Sequence, residues 1–164
     1  MRRRSLALLA ALAGVMAMAV PAHAAINDPV AVWQMNEASG SRRMGDSSGN
    51  GISGTIGSHV LVGTRLSGGG TGYRFPYLQP NSPPADPQHL VQHNARLNPG
   101  TGAFAVEVRL RTTHSFGNVI QKGQSASAGG YWKFEQPNGK ISCLFRGSSG
   151  SSSASSGTVR VNDG

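Results

Sequence analysis

The stretch Trp33-Gln34-Met35-Asn36-Glu37-Ala38-Ser39-Gly40, followed by Asp46-Ser47-Ser48-Gly49-Asn50-Gly51-Ile52-Ser53-Gly54-Thr55-Ile56, decides the fold. It reads as an apolar strand, a polar hairpin and a second strand, because Gly, Asn, Asp and Ser tolerate the turn dihedrals that an extended run does not. Over residues 30–37, Val30 and Val32 fall on one face of an extended chain and Trp33 and Met35 on the other. Apolar groups on both faces predict a central strand. Residues 39–50 carry Gly40, Gly45 and Gly49 among polar residues, a turn-rich connection. Nothing in the stretch has the form of a catalytic centre.

Outward from this hairpin, the chain continues as short extended pieces. Residues 59–62 extend or partner the second strand, and Ser67-Gly68-Gly69-Gly70 predicts a bend inside residues 65–75. Residues 79–87 hold Pro80, Pro83, Pro84 and Pro87, and a proline has no amide for a sheet ladder, so a surface loop is expected. A strand follows at 89–92 and a turn at Leu97-Asn98-Pro99-Gly100. Residues 104–111 show the clearest alternation: Phe104, Val106, Val108 and Leu110 on one face, Ala105, Glu107, Arg109 and Arg111 on the other. Further strands are expected at 117–122, 130–136 and 140–146, with Pro137-Asn138-Gly139 as the hairpin between the last two. Residues 147–157 are almost wholly Ser and Gly, which fits either a flexible tail or a loop between strands, and 158–161 is extended.

The N-terminus follows different rules. Met1-Arg2-Arg3-Arg4, an apolar run from Leu6 to Val20, and small residues at Ala22 and Ala24 form the three parts of a secretory signal peptide over residues 1–24. The apolar run is shorter than the ~20 residues that cross a bilayer, and no later segment is apolar enough to do so. Residues 25–164 then make one domain of secreted, extracellular location. Loss of Arg2, Arg3 and Arg4 lowers the formal charge from +8 to +5. The remaining basic residues are dispersed, without the concentrated footprint and recognisable module of a nucleic-acid binder. Abundant Gly and Ser, with alternating apolar positions in separate segments, give an all-β class.

The order of these motifs resembles the laminin-G-like branch of the concanavalin A-like lectin/glucanase superfamily. The Trp33 strand, the Glu37-Ala38-Ser39-Gly40 turn and the Asp46-Ser47-Ser48-Gly49-Asn50-Gly51 loop carry the first part of it. Residues 97–112, then Val119-Ile120-Gln121-Lys122-Gly123 with Gly130-Tyr131-Trp132-Lys133, continue it, and Ile141-Ser142-Cys143-Leu144-Phe145-Arg146-Gly147 is similar to variants in secreted actinobacterial members. Coverage is about residues 30–164. Arg109 stands where the family often has Trp, which removes an aromatic contact from that face. The resemblance implies an antiparallel jelly-roll β-sandwich. It also implies further strands after Gly164 that close the sandwich, so residues 25–164 are expected to be a partial domain.

For Cys143, the single cysteine, the residues alone allow a free buried thiol or a partner elsewhere. The resemblance implies a disulfide partner beyond Gly164. It further implies that loop oxygens can hold Ca²⁺, with Asp46 as the candidate ligand; the competing use of Asp46 is an Asx-turn with its own following backbone. Tyr131 and Trp132 are candidate ligand-binding aromatics, with Tyr73 and Tyr77 also available, although aromatics also serve as packing.

Catalysis finds little support. Retaining and inverting glycosidases need a carboxylate pair, and the 104–111 strand has Glu107 alone, flanked on its face by Ala105 and Arg109. Glu37 and Asp46 can approach only through the hairpin. No Gly-x-Ser-x-Gly elbow stands outside the Ser/Gly run, and His89 with His93 suits a metal only on a helix. The expectation is a secreted, non-catalytic module binding an extracellular glycan or protein surface, with a fragment of a glycan-active enzyme or a structural spacer as alternatives.

Overall fold

A computed structural model of the chain describes residues 27–77, 89–124 and 128–164, with the side chains of His89 and Leu90 outside that description. The expected signal peptide and the proline-rich loop at 79–87 lie outside the described residues. Among the described residues nine strands run in order: β1 Arg43–Met44, β2 Gly54–Ile56, β3 Leu61–Arg65, β4 Thr71–Arg74, β5 His89–Val91, β6 Asn118–Lys122, β7 Tyr131–Glu135, β8 Ser142–Gly147 and β9 Gly150–Ser155. One short 3-10 turn, Ala95–Leu97, is the helical element among the described residues, and Pro137–Gly139 is a tight turn with Asn138 in the left-handed region. The strands form three sheets, β1-β2-β5, β3-β4 and β6-β7-β8-β9, and every pairing is antiparallel. The all-β expectation therefore holds. No helix among the described residues is long and apolar enough to cross a membrane.

The core lies where the opening hairpin meets β3 and β4. Met44, Ile56, Val60 and Val62 cluster there in full burial, with Trp33, Met35, Tyr73 and Val91 packed against them. Burial alternates along β2, with Gly54 and Ile56 inside and Thr55 outside, as a strand with one covered face requires. The Ser67–Gly70 bend closes the β3-β4 hairpin through a bond from the Leu66 amide to the Gly70 carbonyl. Gly69 and Gly70 have φ of 88° and 78°, a region that side chains resist.

Residues 30–37 are not a strand. Their amides are met by the Asp46 loop instead of a ladder: Asp46 accepts from the Val32 amide, and Val32 accepts from the Ser47 amide. Met35 at φ 54° also breaks the extended path. Residues 104–111 depart from expectation too. Their alternation survives as burial only in the middle, where Val106 and Val108 are half-buried and Ala105, Glu107 and Arg109 exposed, while Phe104 and Leu110 at the ends of the apolar face are exposed as well. No neighbouring backbone among the described residues pairs with them as a ladder.

The Ser/Gly run is neither tail nor loop throughout. Residues 150–155 form β9, paired with β8 in unbroken register from Ser142↔Ser155 to Gly147↔Gly150. Small side chains do not obstruct the approach, so the backbone ladder decides. Asn138 and Gly139, at φ 52° and 75°, supply the left-handed pair expected between β7 and β8. That hairpin is held by residues 114–117: the Gln136 amide donates to the Gly117 carbonyl, the Gly139 amide to Ser115, and the Gln136 side chain to His114. Residues 158–161 form no strand, although the Val161 amide donates to Gly139.

Candidate functional site

The loop after β1 is organised by one carboxylate. Asp46 Oδ1 accepts the Val32 and Ser48 amides, both at 2.9 Å. Its Oδ2 accepts the Ile52 amide at 2.8 Å and the Ser48 hydroxyl at 2.9 Å. The bond from Ser48, two residues on, is an Asx-turn, one of the two uses expected for this side chain. Burial alone would raise the Asp46 pKa, but these amides and the hydroxyl favour the anion and hold the carboxyl well below its usual range.

Around it, side chains fasten residues 29–33 to residues 46–52. Asn50 Nδ2 donates to the Pro29 and Val30 carbonyls, and Trp33 Nε1 to the Ile52 carbonyl at 2.6 Å. Glu37 is drawn to the same place. Its Oε1 accepts the Gly45 amide at 2.7 Å and its Oε2 accepts the Tyr73 hydroxyl. The Tyr73 pKa is raised, first by burial and then by the adjacent Glu37 carboxylate. Gln34, Asn36, Glu37, Gly45, Asp46 and Ser47 line a shallow open depression. The two acids thus share one depression, and all four carboxylate oxygens accept protein donors. No group of three His, Cys, Asp or Glu side chains gathers as a metal cluster among the described residues.

The second constellation lies on the four-stranded sheet. Side chains alternate along a strand, so Trp132 and Phe134 of β7 share a face, and Phe145 and Cys143 of β8 stand directly opposite them. Phe104 packs over this face, its ring centroid 5.4 Å from Phe145 and 6.3 Å from Trp132, yet it stays 44% exposed. The Trp132 indole N–H is buried without a partner among the described residues. Tyr131 occupies the other face of β7, so alternation separates the two adjacent candidate aromatics. Tyr73 belongs to the core edge, and Tyr77 stacks on His114 with centroids 4.1 Å apart.

Cys143 is a half-buried free thiol among the described residues, and burial raises its pKa. His89 lies in β5 and His93 just after it, so their spacing does not fall on a helical face. Phe104, Phe134 and Phe145 were not singled out by sequence as site residues. The alternation of Trp132 with Phe134 was the available signal; the register that brings Phe145 opposite Trp132 was not. No family model, no curated protein and no solved structure matches this chain.

Proposed function

We propose that this chain is a secreted, non-catalytic recognition module of the laminin-G-like kind, a jelly-roll β-sandwich that binds glycan or protein surfaces. The observation that carries the reading is the aromatic cluster of Trp132, Phe134 and Phe145, half-buried, with the exposed ring of Phe104 packed over it. Aromatic side chains give large contact area at low conformational cost, and a planar ring offers a sugar an apolar platform. The non-catalytic part is supported by the acids. Glu37 and Asp46 spend their oxygens on loop amides and hydroxyls, whereas a glycosidase pair must leave oxygens open to substrate and water.

Ca²⁺ at Asp46 is a separable part of the proposal. It requires the Ser48 hydroxyl to turn so that both oxygens face the cation. Calorimetric titration tests it: heat present in the wild type and absent in Asp46→Ala supports a site.

The main test is a glycan and extracellular-protein array probed with the wild type and with Phe104→Ala, a substitution at a half-exposed position. Binding weakened about tenfold or more by Phe104→Ala, with a cooperative melting curve lowered by only a few degrees, is the expected result. Binding indifferent to Phe104→Ala, or no ligand on any array, refutes the reading. Turnover of a bound glycan moves the protein to the enzyme class.

A further inference from the structure

Strand β9 ends the four-stranded sheet, and all six of its residues are exposed. The β8-β9 hairpin closes on the Gly147↔Gly150 pair, and the Ser156 amide donates to the Ile141 carbonyl at the other end. In an antiparallel ladder hydrogen-bonded pairs alternate with open ones, so Gly150, Ser152 and Ala154 turn their amides toward β8. Ser151, Ser153 and Ser155 turn theirs outward. No described residue donates to or accepts from that outward backbone.

Edge strands are normally blunted by lysine, proline, a bulge or a covering loop. Gly-Ser-Ser-Ser-Ala-Ser has none of these residues, and its register with β8 contains no bulge. The nearest charge in the hairpin, Arg146, stands one strand back from the edge.

We propose that β9 pairs antiparallel with β9 of a second copy of this chain, across a two-fold axis at Ser153. The strand is self-complementary in that arrangement. Ser153 meets its own copy as a hydrogen-bonded pair, Ser151 meets Ser155 of the second copy and Ser155 meets Ser151, giving about six main-chain bonds. Uncharged serine hydroxyls meet across the axis without repulsion. The axis stands normal to the sheet, so the Phe104–Trp132–Phe145 faces of both copies lie on the same side. An edge this short buries little area, and the dimer is accordingly weak and concentration-dependent.

Sedimentation equilibrium under reducing conditions, which removes any disulfide through Cys143, tests this. The wild type is expected to dimerise with rising concentration. Ser153→Glu and Ser153→Lys each place like charges directly opposite across the axis and weaken self-association about tenfold, while an equimolar mixture of the two restores it. Circular dichroism spectra that superimpose on the wild type confirm that both variants fold. A wild type that stays monomeric throughout overturns the proposal. So does a dimer indifferent to both substitutions, or a mixture that fails to associate.

Discussion

Removing the Asp46 carboxylate tests whether a side chain, and not a ladder, holds residues 29–33 in place. Asp46→Ala strips the acceptor from three amides and one hydroxyl. Val32 and Ser48 are half-buried, so their amides turn to water at a loss of about 0.5–1 kcal/mol each. Ile52 is 4% exposed, and its amide left without an acceptor costs about 1–3 kcal/mol. The total is about 2–5 kcal/mol, a fall in Tm of roughly 5–15 °C for a chain of this size. Asp46→Asn keeps one carbonyl oxygen for Val32 and Ser48 but turns an amide group toward the Ile52 N–H, so about half of the loss is expected.

The pH dependence separates charge from shape. The carboxyl titrates near 3.8 when unperturbed and lower in the folded loop. A depressed folded pKa gives a contribution that is complete above the unfolded value and is lost as pH falls through the folded value. The advantage of the wild type over Asp46→Asn is therefore constant from about pH 7 to 5 and shrinks below about pH 4. Urea denaturation at fixed pH values reads both quantities. A loss under about 0.5 kcal/mol in Asp46→Ala, or an advantage that grows on acidification, refutes the reasoning.

Two further outcomes are expected. A Cβ on Gly130 would stand 1.9 Å from the Arg146 carbonyl oxygen at φ +90°, so Gly130→Ala forces β7 from β8 and costs about 3 kcal/mol or more, measured by thermal denaturation. Burial raises the Cys143 thiol pKa and shields the sulfur in part, so at pH 8 iodoacetamide alkylates the native protein more slowly than the denatured chain; equal rates would show the thiol to be open.

The legible parts of the fold are those in which chemistry is local. The Ser67–Gly70 bend, the Asn138-Gly139 hairpin and the strands at 118–122, 131–135 and 142–147 follow from turn residues and alternation. Residues 104–111 show the limit. Period-two burial records which side faces inward, but a strand exists only where a second backbone supplies its hydrogen bonds, and that partner is not written in the segment itself. Residues 30–37 fail for a related reason. Val30, Val32, Trp33 and Met35 promise a ladder, while the Asp46 carboxylate and the Ser47 and Asn50 groups offer competing partners to the same backbone. At the candidate site, Trp132 was legible as an aromatic, but its neighbours Phe104 and Phe145 lie 28 and 13 residues away in sequence and meet it only through register and packing.

The distribution of burial bears on the proposed recognition role. Among the described residues the buried hydrophobic ones, Met44, Ile52, Ile56, Val60 and Val62, all fall between positions 44 and 62. The β6-β9 sheet instead leaves its large apolar residues half-buried and relies on backbone ladders and on the 114–117 contacts to Gln136 and Gly139. Core packing tolerates little change in volume, whereas exchanges among aromatic and β-branched side chains on a strand change stability by only about 1 kcal/mol. The first part is therefore suited to holding the chain in shape. The second can exchange large side chains on its face at little cost to the ladder, which suits the recognition surface proposed above.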